Sequence, residues 1–234
     1  MGTKEHSLTT KSLLLFFVPL GLSASLVTIS HMIINGTLAR GANAEAIIAS
    51  YAIAMSLFAI TERMGVLLRH TCSALVRDRL SFKAMSAVSV YVIAGLLAVS
   101  ITVAYTPIGR WIFAQLFGAA PELIDQIVSV YQVLIIVTLF SAIRCLYQGV
   151  IIFNRQTKWL TIGMIIRLVV MYILSLVFIQ FGTITARTGA YIFLAGMMVE
   201  SLVSSLEGRA LVRKMKSKEE KHPITRKKTD FSLL

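Results

Sequence analysis

The chain has 234 residues, of which 56% are hydrophobic and only 15% charged, and its mean hydropathy is +0.78. A soluble domain carries roughly 25% charged residues, so this composition excludes an ordinary solvated globule and leaves a membrane protein. The net charge of +12 does not point to nucleic acid, because the basic residues sit in short loops and a tail, where charge sets topology and meets anionic lipid headgroups.

Apolar runs near the 20 residues needed to cross about 30 Å of hydrocarbon predict six helices. The first covers residues 13–38, is interrupted at Pro19-Leu20-Gly21, and carries a polar stripe. Lys4 and Lys11 before it resemble the start of a secretory signal, but the run is too long for a signal core and is read as an uncleaved first span. The second predicted helix covers residues 46–68. The third covers residues 84–105 and stops at Thr106-Pro107, where proline breaks the backbone pattern. Residues 108–117 read as a short interfacial segment with Trp111 near the headgroups, followed by a turn from Gly118 to Pro121. The last three spans are placed at residues 128–153, 159–181 and 189–211.

The domain organisation is thus a transmembrane bundle over residues 1–213 and a basic, disordered cytoplasmic tail over residues 214–234. No internal repeat is evident. Cys72 falls in a predicted cytoplasmic stretch and Cys145 inside an apolar run, which argues against a disulfide framework. Ligand spacing for a metal, a phosphate loop and a nucleophile motif are all missing from the sequence, so neither a cofactor nor enzymatic chemistry is expected.

Orientation follows from Lys and Arg. On the side shared with the N-terminus lie Lys4, Lys11, Arg69, Arg77, Arg79, Lys83, Arg155, Lys158 and nine more from Arg209 onward. The opposite side has Arg40, Arg110 and Arg187. The positive-inside rule then places both ends in the cytoplasm. The fold expected is all-α, with six transmembrane helices, N-in and C-in.

Ionisable groups inside a membrane cost several kcal/mol unless they face protein or water, so each is a candidate functional residue. Those of this chain are Glu62 and Arg63, Arg144, Arg167 and Glu200. Ser25, Thr28, His31 and Asn35 add one polar face to the first helix by their three- and four-residue spacing. At 1.5 Å per residue, Glu62, Arg144, Arg167 and Glu200 lie about 10–15 Å from the cytoplasmic ends of their predicted helices. Four charges from four helices in one layer resemble a substrate or ion site. The plainer explanation is a packing device, with Arg144 or Arg167 paired to Glu200. It leaves one cation over, since three arginines face two glutamates, and a buried unpaired cation calls for an anion or water nearby. Sequence neighbours Glu62 and Arg63 cannot face each other, so one of them reaches for the interface. His31 alone is more often a packing residue than a proton relay.

Several short motifs carry a family resemblance. FFVPLG (16–21), ASYAIAMSL (49–57) and RDR (77–79) resemble the first two helices and following loop of the progressive ankylosis family. Arg144, Arg167, the FG and TGA of residues 181–190, and AGMMVES (195–201) resemble its C-terminal half. That family belongs to the multidrug, oligosaccharidyl-lipid and polysaccharide exporter superfamily, which includes the multidrug and toxin extrusion proteins. Its members have about twelve helices in two bundles, and this chain is similar to one bundle. The resemblance implies a half-size exporter in the plasma membrane, working as a homodimer or with a second half-transporter by rocking around a mid-membrane site. It also implies an organic or phosphorylated anion as substrate, held by Arg144 and Arg167. Glu200 would orient them or carry a proton, and Thr28, His31 and Asn35 would line the cavity. The first helix lacks the acid that multidrug exporters of the superfamily often use for coupling, which would leave that role to Glu62 or Glu200. Two other functions fit the residues: export of a drug or lipid-linked sugar, for which the glutamates would matter more, and a non-transporting scaffold.

Overall fold

The computed structural model describes residues 10–76 and 79–221, with side chains described for residues 25–76 and 80–214. These residues form helices α1 (Thr10–Leu38), α2 (Ala44–Leu75), α3 (Arg79–Tyr105), α4 (Pro107–Trp111), α5 (Ile124–Phe153), α6 (Lys158–Phe181) and α7 (Ala186–Lys221). A π-helical turn (Ile112–Leu116) and a 3-10 turn (Pro121–Leu123) join α4 to α5. No strand occurs among the described residues. Among the described residues, five helices are long and apolar enough to cross a membrane: α2, α3, α5, α6 and α7. The chain is a multi-pass membrane protein.

The observed helices are longer than the hydrophobic runs that predict them. α1 continues through Pro19 and Gly21 without a break, which membrane helices tolerate because neighbours re-satisfy the freed carbonyl. α2 runs seven residues past Leu68. Arg69 is therefore helical, and Cys72 is a fully buried packing residue rather than a loop residue. The interfacial segment begins at Pro107, the expected first position for proline in a helix. It ends at Gly118, whose φ of 62° makes the turn. Trp111 is 64% exposed there. α7 stays helical to Lys221, past the predicted start of the tail, and residues 222–234 lie outside the described residues, as do residues 1–9 with Lys4.

α5 is the central post. It packs against α2 and α7 along most of its length and against α3 more lightly, while α6 bridges α7 and α1. Half of the apolar stretch of α5 is buried against only 17% of that of α3, so α3 is peripheral and mostly lipid-facing. Two apolar clusters fill the bundle. The larger includes Ile34, Phe58, Phe113, Ile127, Leu134, Met171, Ile192 and Met197. The smaller lies toward the α2–α3 and α5–α6 connections and includes Leu68, Cys72, Val76, Met85, Val150 and Leu211.

Without a hydrophobic drive between helices in lipid, close approach through small residues does the packing. Gly149 is the clearest case. A Cβ there would sit 2.6 Å from Cys72 Cβ and 2.9 Å from the Arg69 carbonyl oxygen. That approach presses α2 onto α5. Exposed apolar side chains cover the outside, among them Met32, Ile60, Leu67, Tyr91, Val99 and Leu206, as lipid contact requires.

Candidate functional site: a buried charged layer

Glu200 is the centre of a polar layer where α2, α5, α6 and α7 meet. Two glycines make room for it. Gly163 lies one turn before Arg167 on α6, and a Cβ there would already touch Glu200 Cγ at 3.6 Å. Gly196 lies one turn before Glu200 on α7, against Met171 and the Arg167 stem. The crossing is therefore close enough for Arg167 Nη1 to donate to Glu200 Oε2 at 2.9 Å.

From the other side α5 presents Ser141, Arg144 and Gln148, spaced three and four residues apart and so on one face. Arg144 Nη1 donates to Glu200 Oε1 at 3.0 Å, and Gln148 Nε2 donates to the same oxygen at 3.0 Å. Arg144 Nη2 reaches Glu62 Oε1 on α2 at 3.3 Å and Ser141 Oγ at 3.4 Å. Arg69, seven residues after Glu62 on the same face of α2, donates through Nη1 to Gln148 Oε1 at 3.3 Å. Arg144 lies nine residues before the end of α5 and Arg167 nine after the start of α6, which puts both about 14 Å from those ends.

The members differ in how far protein encloses them. Glu200 is fully buried, and the side chains of Arg144 and Arg167 are 5% and 3% exposed. Taking such ions out of water costs several kcal/mol each unless good geometry repays it. Here it does for Glu200, both of whose oxygens are occupied by charge-assisted or amide donors. The Nε atoms of Arg69, Arg144 and Arg167 are buried without a partner. Glu62 is the exception among the carboxylates, with 31% of its side chain exposed and a single ion pair. It lines a narrow cleft with Phe58, Thr61, Gly65, Leu96, Thr138 and Ser141.

The structure thus brings together Glu62, Arg144, Arg167 and Glu200. It leaves out Arg63, which is exposed because the next residue on a helix points 100° away. Thr28 and Asn35 are exposed on α1, on the face that a lone bundle leaves open. His31 is half-buried and stacks on Phe193, with ring centres 6.3 Å apart, and Phe193 carries the Arg167 guanidinium on its face at 5.0 Å. Its role in the described structure is therefore aromatic packing beside the layer.

Sequence reading placed Arg69 in a loop and passed over Gln148 and Phe193. The i+7 relation to Glu62 and the i+4 relation to Arg144 were the available signals for the first two. The expected surplus of one arginine does not hold in the layer: Arg63 turns outward, Arg144 and Arg167 meet Glu62 and Glu200 two against two, and Arg69 is half-buried and bonds Gln148 alone. A separate cavity of about 620 Å³ opens at the α1–α2 and α6–α7 connections, lined by Asn43, Gln126, Thr185, Arg187 and Tyr191, and it shares no residue with the layer.

No protein-family description and no curated protein sequence matches the chain. Solved structures do match in fold. One is an outward-facing multidrug resistance transporter of the MATE family in the MOP superfamily. It is 16% identical, with a TM-score of 0.68 over 92% of this chain and 49% of that one. Another is a MOP superfamily transporter from Pyrococcus furiosus, described by a reversed polarity of its binding pocket that suggests a different function. It is 18% identical, with a TM-score of 0.64 over 92% of this chain and 49% of that one. At these identities the likeness is one of fold. The chain spans about half the length of the solved structures it matches.

Proposed function

We propose that this chain is one bundle of a two-bundle transporter that moves an organic or phosphorylated anion across the plasma membrane by alternating access. The observation that carries this reading is the buried layer, in which Arg144 and Arg167 share the fully buried Glu200 while Arg144 also meets the partly exposed Glu62, inside a bundle with the fold of MATE-type transporters. Guanidinium donors in low dielectric suit carboxylate or phosphoryl oxygens, and the Nε atoms of Arg144 and Arg167 are buried without a partner. The topology proposed has six spans, α1 being the sixth, with both ends in the cytoplasm, where basic loops meet anionic lipid. The second bundle would be another copy of the chain or a second half-transporter, packed on the face that exposes Thr28 and Asn35 on α1.

The test is flux. Reconstituted protein should release radiolabelled citrate or pyrophosphate from proteoliposomes, and Arg144→Ala or Arg167→Ala should abolish release while the protein still inserts. Normal release from both variants would sink the site assignment. A strictly monomeric state in nanodiscs would sink alternating access between two copies.

One observation favours a second reading. Both oxygens of Glu200 are satisfied by Arg144, Gln148 and Arg167, as a helix-packing device would arrange, and a scaffold needs nothing more. Strong coupling of Arg167 and Glu200 in a double-mutant cycle for stability, with flux indifferent to both, would establish it.

A further inference from the structure

We propose that Glu62 is a built-in competitor for the anion site, its carboxylate occupying the place on Arg144 that an anionic group of the ligand takes. This rests on the anion-transporter reading and adds a mechanism by which the site is kept neutral when empty. The two glutamates of the layer are not equivalent. Glu200 is fully buried, and its oxygens hold three donors from two helices. Displacing it would leave Arg144, Arg167 and Gln148 unsatisfied together. Glu62 makes one ion pair, to Nη2 of Arg144, at 3.3 Å, the longest of the layer's three ion pairs. With 31% of its side chain exposed, it is less enclosed by protein than Glu200 and has somewhere to go.

The setting also fits an exchange. Glu62 and Ser141 both bond Arg144 Nη2 and both line the cleft between α2, α3 and α5. The cleft has room for about 10 Å³, no more than a water, so a carboxylate or phosphoryl oxygen reaches the guanidinium edge of Arg144 only by taking the space that Glu62 gives up. Swapping the Glu62 carboxylate for an anionic group of the ligand keeps Arg144 paired throughout, so the exchange avoids exposing a bare buried cation. Anions that offer Arg144 no better pairing than a single carboxylate oxygen gain little by displacing Glu62, which makes it a filter against weak ligands.

The experiment is calorimetric titration of citrate and inorganic phosphate, at fixed ionic strength, into the protein in nanodiscs. Glu62→Gln keeps the shape and removes the competing charge. It should bind at least one of the two probes about tenfold or more tightly than wild type, and binding detectable only in this variant supports the proposal equally. Glu62→Asp, which retracts the carboxylate by one methylene, should tighten binding by a smaller factor and serves if the first variant does not fold. Wild-type binding with no tightening, or with weakening, in the folded Glu62 variants overturns the competitor role and leaves the anion reading intact. No binding by wild type or by any folded Glu62 variant overturns both.

Discussion

Removing the charge of Glu200 tests how the layer is held. The carboxylate is fully buried and accepts bonds from Arg144, Gln148 and Arg167 at 3.0, 3.0 and 2.9 Å. Glu200→Gln keeps one acceptor oxygen and turns an amide N–H toward a guanidinium. Two arginines of the buried layer are then left with Glu62, which touches Arg144 alone. Breaking a buried pair from one side costs about 3–5 kcal/mol. Three ordinary intramembrane hydrogen bonds, at about 0.6 kcal/mol each, would total only about 2 kcal/mol. The expected loss is therefore at least about 3 kcal/mol, because the groups stranded are cations in low dielectric and not neutral donors. Reversible unfolding in mixed lipid and detergent micelles, followed by helical circular dichroism, measures it. A loss below about 1 kcal/mol would refute the reasoning, since it would mean that water or lipid reaches both arginines freely.

Other outcomes are expected from the same physics. Gly149→Leu should destabilise by about 1–3 kcal/mol through overpacking, since even a Cβ would meet Cys72 at 2.6 Å, and the same unfolding assay reads it. The Arg110–Asp125 pair is short, at 2.6 Å, but both side chains are more than 60% exposed, so Asp125→Ala should change stability by less than about 1 kcal/mol. For topology, Arg187→Cys should react with an impermeant maleimide on intact cells and Arg155→Cys only after permeabilisation. Native Cys72 and Cys145 are free but buried, so background labelling should be low. The reverse pattern would invert the proposed orientation.

Much of the bundle was legible because lipid makes the sequence write its spans as continuous apolar runs. The ends of the third and fourth predicted spans, at Tyr105 and Phe153, and both ends of the fifth, at Trp159 and Phe181, coincide with helix boundaries to within a residue, whereas the third starts five residues late and the sixth is short at both ends. The far end of α2 was not legible. Arg69-His70 looks like the exit from a membrane, and only the Gln148 partner and the Gly149 notch on another helix explain why the helix continues. The site shows the same division. Intramembrane charge alone singled out Arg144, Arg167, Glu200 and Glu62, because each is too costly to be idle. It could not rank them, since the difference between Glu62 and Glu200 is enclosure by protein and partner number, which depend on four helices at once. Arg63 entered the candidate set on the same ground, as an ionisable residue inside the second predicted span, and helical geometry turns it outward.

The most direct measurement compares flux in the wild-type protein with flux in a triple variant, Arg144→Met, Arg167→Met and Glu200→Leu, in proteoliposomes loaded with radiolabelled citrate or pyrophosphate. Replacing a whole buried ion cluster by apolar side chains of similar volume is often neutral for stability, and Glu62, the member left over, is already partly exposed. A folded triple variant that releases no anion, beside a wild type that does, is the outcome expected if the layer is a binding site. Undiminished release by the folded triple variant would contradict it and leave the buried charges as packing alone.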